Sequence, residues 1–389
     1  MLFRSPLYLQ FSKKVTYSHH PGWYYDIEYQ KEQTRGYEYK EDLYCPGSFE
    51  MKINKGESIL FSAGLSDIEN RRLKPLFDRE FEHRIARDSF INCLENAASQ
   101  FFVHHDDKVD LIAGYHWFAV HGRDTFVALP GLTLPRKKNK LFLKVIDTLI
   151  HRMEGIFFPI TITEQNSRYH SVDTQLWFFW ALQQYTGFAG GKEMIWERYG
   201  KLMKSILEGY RNGTSWNIHM LENGLLYAGF ENDTLTWMNA RIDNKPVIDR
   251  NGLAVEINAL WYNAIRYYIE LARENKYNYG IKSWEDISHK IEYSFRDTFW
   301  IESSGYFADV VRGNHKDVAV RPNQLFVASL PYSPVDDDFK YRMLNVVKQE
   351  LLTPRGIRTL SPKNPDYRGI YKGNIIQRDT TYEKRIDFH

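Results

Sequence analysis

Cysteine is almost missing from the 389 residues, with Cys45 and Cys93 the only two. Two lone thiols give neither a disulfide framework nor a metal-ligand spacing, which fits a reducing compartment, and the chain is expected to be cytoplasmic. Long apolar runs are lacking too. No stretch reaches the ~20 apolar residues of a membrane-spanning helix, and Met1–Lys14 has no apolar core before a small-residue cleavage site. Charge of one sign is scarce: 51 Lys and Arg stand against 49 Asp and Glu, a formal net charge of +2. That balance offers no broad electrostatic basis for binding nucleic acid or an anionic membrane. Internal repeats and low-complexity linkers are absent. Gly187, Gly190 and Gly191 ahead of Lys192 lack the spacing of a phosphate loop, and no serine sits in a nucleophile elbow.

Aromatic residues are plentiful at 15%, including 26 Tyr and 10 Trp. Flat rings with polar tips suit a carbohydrate surface, and large helical cores use them as well.

Residues 7–63 read as short aromatic strands: LYLQF, KVTYS, WYYDIEY, GYEYKEDLY, SFEMKIN and ESILFSAG. The last two are expected to form a tight hairpin at Lys55-Gly56. Several of these strands lack obvious partners, as at the end of a β-sandwich. From about residue 75 the apolar period lengthens to that of a helix. Helices are expected at Glu82–Phe102, from Thr125, and at Leu141–Met153, Asp173–Tyr185, Met194–Tyr210, Glu256–Arg273, Ser283–Thr298, Asn323–Leu330 and Asp336–Leu351. Amphipathic and nearly all-apolar helices alternate, which suits a double layer with inner helices buried on both sides.

The stretch most suggestive of chemistry is Ala113–Leu132, AGYHWFAVHGRDTFVALPGL. Arg123 and Asp124 form a donor and acceptor that could chelate adjacent sugar hydroxyls, and Trp117 and Phe118 offer faces for a pyranose ring. A helix-capping Asp124 and an Arg123 paired with a nearby acid would give the same pattern. His116 and His121 beside them read as packing residues. His104-His105-Asp106-Asp107 reads as a solvated polar turn, because adjacent histidines lack zinc spacing.

This stretch resembles the Trp-Phe-x-x-x-Gly-Arg-Asp-Thr segment of the glucosidase domain of glycogen debranching enzymes, the amylo-alpha-1,6-glucosidase family. Ser171–Leu182, Leu235–Ala240, Val255–Ala264, Arg321–Pro334 and Leu352–Leu360 agree with further family segments in the same order. The likeness covers roughly residues 75 to 382, and several long motifs in fixed order are far more specific than one.

The resemblance implies a mainly α fold, a six-fold α/α toroid preceded by a β-rich region. Residues 1–72 would be the end of a β-sandwich-like domain and residues 73–389 the toroid domain. About nine of its roughly twelve helices are counted, so the ring is expected to be incomplete. Beyond Gln377-Arg378-Asp379 the family pattern stops. The chain is therefore expected to be a fragment, with Glu383–His389 and Met1–Ser5 foreign to the pattern and the general base lying beyond residue 389.

Hydrolysis of a glycosidic bond by inversion uses two carboxyl groups roughly 6.5–9.5 Å apart, one protonated and one ionised. Asp173 and Glu256 stand at helix starts in matching segments. A helix cap and a dipole-stabilised first-turn acid are their structural alternatives. Asn239 occupies the place of the family's general acid. An amide can hydrogen-bond a glycosidic oxygen and cannot protonate it, so Asp173, Glu231, Asp233 or Asp243 would have to substitute. Trp117, Trp177 and Trp237 would supply apolar faces, and Arg123, Asp124, Asn258, Arg321, Asn323 and Gln324 would hold hydroxyls. Arg321, Asn323 and Gln324 could equally tie down the loop around Pro322. The implied ligand is a branched alpha-glucan, glycogen or a limit dextrin, with no metal or organic cofactor. Oligomeric state is left open. A glucan-binding protein without catalysis, or a toroidal glucosidase of glucoamylase or trehalase type, are the alternatives.

Overall fold

The β-patterned start of the chain folds back on itself as one long antiparallel ribbon. Its strands are β1 (Tyr8–Phe11), β2 (Thr16–Ser18), β3 (Gly22–Glu28), β4 (Lys40–Cys45), β5 (Ser48–Glu50) and β6 (Phe61–Gly64), with a short helix α1 (Gln30–Thr34) near the tip. Pairing is nested: β3 with β4, β2 with β5, β1 with β6. The turn expected at Lys55-Gly56 exists, with the Glu57 N–H donating to the Asn54 carbonyl at 3.0 Å. The expected hairpin does not, because β5 and β6 bond to earlier strands. Phe11 packs on Phe49 and Phe61 at 4.9–5.0 Å between ring centres, and this cluster ties the nested pairs together.

These observations come from a computed structural model that describes residues 6–34, 36–115, 118–162, 167–242, 244–370 and 378. The readings made for Met1–Ser5, His116, Trp117, Asp243, Gln377, Asp379–Tyr382 and Glu383–His389 lie outside the described residues. The chain divides into two compact units, Met1–Gln100 and Phe101–His389.

The first unit ends in α2 (Asn70–Glu82) and α3 (Phe90–Gln100). One helix had been expected across Glu82–Phe102. Ser89 interrupts it: its Oγ accepts the Asn92 N–H at 3.2 Å, starting a new helix as a serine cap does. Among the described residues of this unit only Leu73 is buried, while Trp23, Tyr24, Tyr25, Tyr44 and Phe61 are exposed.

The second unit opens on β7 (Phe102–His105), β8 (Lys108–Gly114) and β9 (Phe118–His121), followed by α4 (Gly122–Thr133), α5 (Asn139–Ile150), β10 (Thr161–Ile162) and β11 (Ser167–Arg168). The strands form one sheet in the order β11-β10-β9-β8-β7. Sequence reasoning did not anticipate this sheet. The clue was the polar turn itself: His105 pairs with Lys108 across Asp106-Asp107, a two-residue hairpin with Asp106 at φ 52°.

Next come α6 (Thr174–Ala189) and α7 (Lys192–Asn212), then the hairpins β12 (His219–Met220) with β13 (Leu226–Tyr227) and β14 (Arg241–Ile242) with β15 (Lys245–Pro246). Strand β16 (Leu253–Ala254) leads directly into α8 (Val255–Glu274), and α9 (Ile281–Phe299) follows. A hairpin of β17 (Trp300–Ile301) and β18 (Tyr306–Phe307) precedes β19 (Val310–Arg312) and β20 (His315–Asp317). A 3-10 turn at Pro322–Leu325 runs into α10 (Phe326–Ser329). Helix α11 (Asp337–Glu350) and the pair β21 (Leu352–Thr353) and β22 (Gly356–Ile357) end the described elements.

The fold of the second unit is mainly α, in two rows. Helices α4, α6, α8 and α10 neighbour one another in succession, and α5, α7 and α9 pack behind them. Composition explains the rows. Helix α6 buries side chains on every face from Thr174 to Leu182, and α8 does so over most of its length. Helices α5, α7 and α9 bury one stripe and expose the other. Phe126 of α4, Phe158 and Phe178 of α6 meet with ring centres 4.8–5.7 Å apart, all fully buried. Among the described residues no helix is long and apolar enough to cross a membrane.

Phe178→Ala would empty the middle of this ring cluster. It is expected to cost about 3–5 kcal/mol of stability, measured by urea unfolding followed by far-UV circular dichroism.

Candidate functional site

The Gly-Arg-Asp turn works because its first residue has no side chain. The Gly122 N–H donates to the Ile160 carbonyl at 3.0 Å, and a Cβ there would lie 2.1 Å from the Pro159 carbonyl oxygen. Only glycine lets α4 start so close to the chain before β10. That start aims Arg123 at the beginning of α6. Arg123 Nε donates to Asp173 Oδ2 at 2.8 Å and Nη2 to Oδ1 at 3.0 Å, a bidentate pair. Ser171 Oγ donates to the same Oδ1 at 2.7 Å and also accepts the Thr174 N–H at 3.2 Å. Asp173 precedes α6 without capping it; Ser171 does that, and the carboxylate is committed to Arg123.

Asp124 does not join this pair. Successive helical residues project about 100° apart, and Asp124 turns to His121 Nδ1 at 3.3 Å. There it borders a groove with Phe101, Leu111 and Leu132. Arg123 is thus paired with Asp173, and Asp124 stands apart from that pair beside His121.

A second cluster gathers at the start of α8. Strand β16 pairs with β19, and the Val255 N–H donates to the Asp309 carbonyl at 3.1 Å. This lays Glu256 and Asp309, two acids, in one buried place. Gly252 permits the approach, since a Cβ there would sit 2.8 Å from the Val311 carbonyl oxygen. Arg250 lies between the acids: Nη2 donates to Glu256 Oε2 at 2.5 Å and Nη1 to Asp309 Oδ2. Side chains of all three are about 2% exposed. Arg321 approaches Asp309 Oδ2 at 3.5 Å. Burial pushes the Glu256 carboxyl up to about 7, against the pull of Arg250 and with help from the Asp309 charge.

Asn323 connects this cluster to the segment carrying Asn239. Its Nδ2 donates to Asp309 Oδ1 at 2.7 Å, and its Oδ1 accepts Trp237 Nε1–H at 2.8 Å. The same segment reaches the first cluster, because the Val172 N–H donates to the Leu235 carbonyl at 3.0 Å. Leu235–Met238 is thus linked to the first charged group through Val172 beside Asp173 and to the second through Asn323. Trp237 is half-buried and Asn239 is exposed.

The other candidates serve the framework. Asn258 accepts the Leu226 N–H at 2.7 Å and donates to the Leu226 and Ala254 carbonyls, fastening β13 to α8. Gln324 accepts the Phe307 N–H at 3.1 Å and donates to the Arg321 carbonyl. Trp177 is 7% exposed, set edge-on against Trp180 and Phe326. Of the substitute acids, Glu231 is exposed. Asp233 accepts the Phe230 N–H at 2.8 Å and lies 3.7 Å from His170. Among the described residues no three His, Cys, Asp or Glu side chains converge as metal ligands. Sequence reasoning missed Arg250 and Asp309. An acid inside the apolar run Phe307-Ala-Asp-Val-Val311 was the available signal, since a buried acid needs a cation.

A family model described as amylo-alpha-1,6-glucosidase matches residues 96–386. The chain belongs to that family. A second, described as glycogen debranching enzyme N terminal, matches residues 4–60. The glycogen debranching enzyme of Saccharomyces cerevisiae is 20% identical over 370 residues, covering 72% of this chain and 24% of its own length. This amylo-alpha-1,6-glucosidase family member thus spans about a quarter of that curated relative.

The Glu256 carboxyl holds its proton more tightly folded than unfolded. Its contribution to stability is therefore complete below about pH 4.5 and lost as pH rises through about 7. Glu256→Gln should remove this dependence. Between pH 4.5 and 7.5 the variant should gain about 3 kcal/mol on the native chain, read from urea unfolding of both across that range.

Arg123→Ala leaves a buried carboxylate unpaired and is expected to cost roughly 3–5 kcal/mol. Arg123→Ala with Asp173→Asn should recover much of that loss in the same assay.

Proposed function

We propose that the second unit is the sugar-handling surface of a cytoplasmic glycoside hydrolase of the debranching type. It would take a terminal alpha-1,6-linked glucose at a branch point of glycogen or a limit dextrin and release it with inversion. One observation carries this reading: segments matching the family, far apart in the chain, are bonded into one network from Arg123–Asp173 through Leu235–Met238 to Asn323 and Asp309. In this reading Trp237 gives the ring an apolar face, and Arg123 fixes the loop that carries Asp173. The two helix rows form part of an α/α toroid. The expected division at residues 72/73 is kept as the boundary of the glucosidase region.

Asn239 stands where one of the two groups that inversion needs would be. It can donate to or accept from the glycosidic linkage but has no proton to give the leaving oxygen. The chain is therefore expected to have little hydrolase activity. The Asn239 amide also favours a second reading, a glucan-binding protein without turnover.

Glucose release from a branched limit dextrin should be slow, and Asn239→Asp, which restores only the acid of the pair, should raise it measurably but far from fully. No release from either chain, with maltooligosaccharides still quenching tryptophan fluorescence, would establish the binding protein. Absence of both signals would overturn the glucan assignment. Preference for a different linkage on a panel of glucosides would favour the glucoamylase or trehalase type.

A further inference from the structure

The buried charges around Asp309 do not open to solvent, yet one of their bonds ends on a half-exposed tryptophan. We propose that Asp309 and Asn323 form a positioning relay that locks the Trp237 indole in one orientation for a bound sugar ring. The inference rests on the glucan reading above for its ligand and on the relay geometry for its mechanism.

The argument follows hydrogen-bond polarity. An ionised carboxylate only accepts, and an indole N–H only donates. Asp309 Oδ2 is taken by Arg250 and faces Arg321, which leaves Oδ1 for Asn323. Asn323 is fully buried, so its amide has two orientations to choose from and no solvent to soften the wrong one. The carboxylate demands the NH2 end. That end also reaches Met238 Sδ at 3.4 Å. The carbonyl end is then presented to Trp237, whose Nε1 lies 2.8 Å away. Turned the other way, the amide would set oxygen against carboxylate and N–H against N–H.

The charge on Asp309 therefore fixes the amide, and the amide fixes the ring. The backbone on the N-terminal side of the tryptophan is held as well, by the Val172–Leu235 bond, and Met238 on its other side is buried. A ring fixed before the ligand arrives loses little freedom on binding, which improves affinity without a new contact. Asp309 and Asn323 are positioning residues here; neither needs to touch the sugar.

The test uses the full chain labelled with 5-fluorotryptophan, the Trp237 fluorine resonance being identified by its loss in Trp237→Phe. Asn323→Ala should shift or broaden that resonance with no ligand present and weaken maltooligosaccharide binding several-fold. Trp237→Phe should weaken binding similarly, and the double variant no further, because both remove the same bond. An unchanged resonance in folded Asn323→Ala, or losses that multiply in the double variant, would overturn the relay. Should Asn323→Ala fail to fold, Asp309→Asn gives the same readout: freeing the amide to turn should split the Trp237 resonance, and a single unshifted line would overturn the proposal. If the native chain binds no maltooligosaccharide, the glucan reading fails while the fluorine spectra still decide the relay.

Discussion

A guanidinium held between two carboxylates is the constraint on which the rest of the second unit depends. Glu256 and Asp309 are brought together by the backbone pairing of β16 with β19, and two like charges in a dry place cannot both stay ionised without a cation. Arg250 supplies it. Its own burial is tolerated only because it is hydrogen-bonded to both acids. The first turn of α8, the strand at 309–312 and the loop before β16 are thereby held by one group. This arrangement contributes modestly to stability compared with a well-packed apolar core of the same volume. What it fixes is an arrangement: the first turn of α8 meets the strand carrying Asp309 through one guanidinium.

The two charged groups differ in what they fix. Arg123 and Asp173 join the starts of α4 and α6, neighbours in the row of α4, α6, α8 and α10. Arg250, Glu256 and Asp309 fix the start of α8. The Leu235–Met238 segment is linked to each, through Val172 on one side and Asn323 on the other. A segment without regular structure of its own thus borrows its order from the helix starts on either side. Loops of this kind, held by a rigid framework, are where binding residues concentrate.

Much of the helical framework was legible because helical period is a local signal. Val145, Ile146 and Leu149 face the core in α5 as their spacing foretold, and the nearly all-apolar α6 is buried on all sides. Pairing was not legible. The ribbon strands were found one by one, but nothing local says that Phe11 will lie beside Phe61. The β7–β8 hairpin was not legible although Asp106-Asp107 signalled a turn, because β8 shows no alternation of buried and exposed residues. Arg123 and Asp173 each stood out from the sequence. That they would meet, 50 residues apart, did not. Asp309 and Arg250 left the weakest trace, since their meaning lies wholly in each other. Tertiary contact decided these cases, and a lone sequence encodes it only diffusely.

The aromatic ribbon has a calorimetric consequence. The heat-capacity increment of unfolding comes from apolar surface newly exposed to water. Among the described residues of Met1–Gln100 only Leu73 is hidden from solvent already in the folded state. The melting endotherm of this chain is consequently expected to come mainly from Phe101 onward. The curvature of its stability with temperature is expected to reflect the helical rows more than the strands before them.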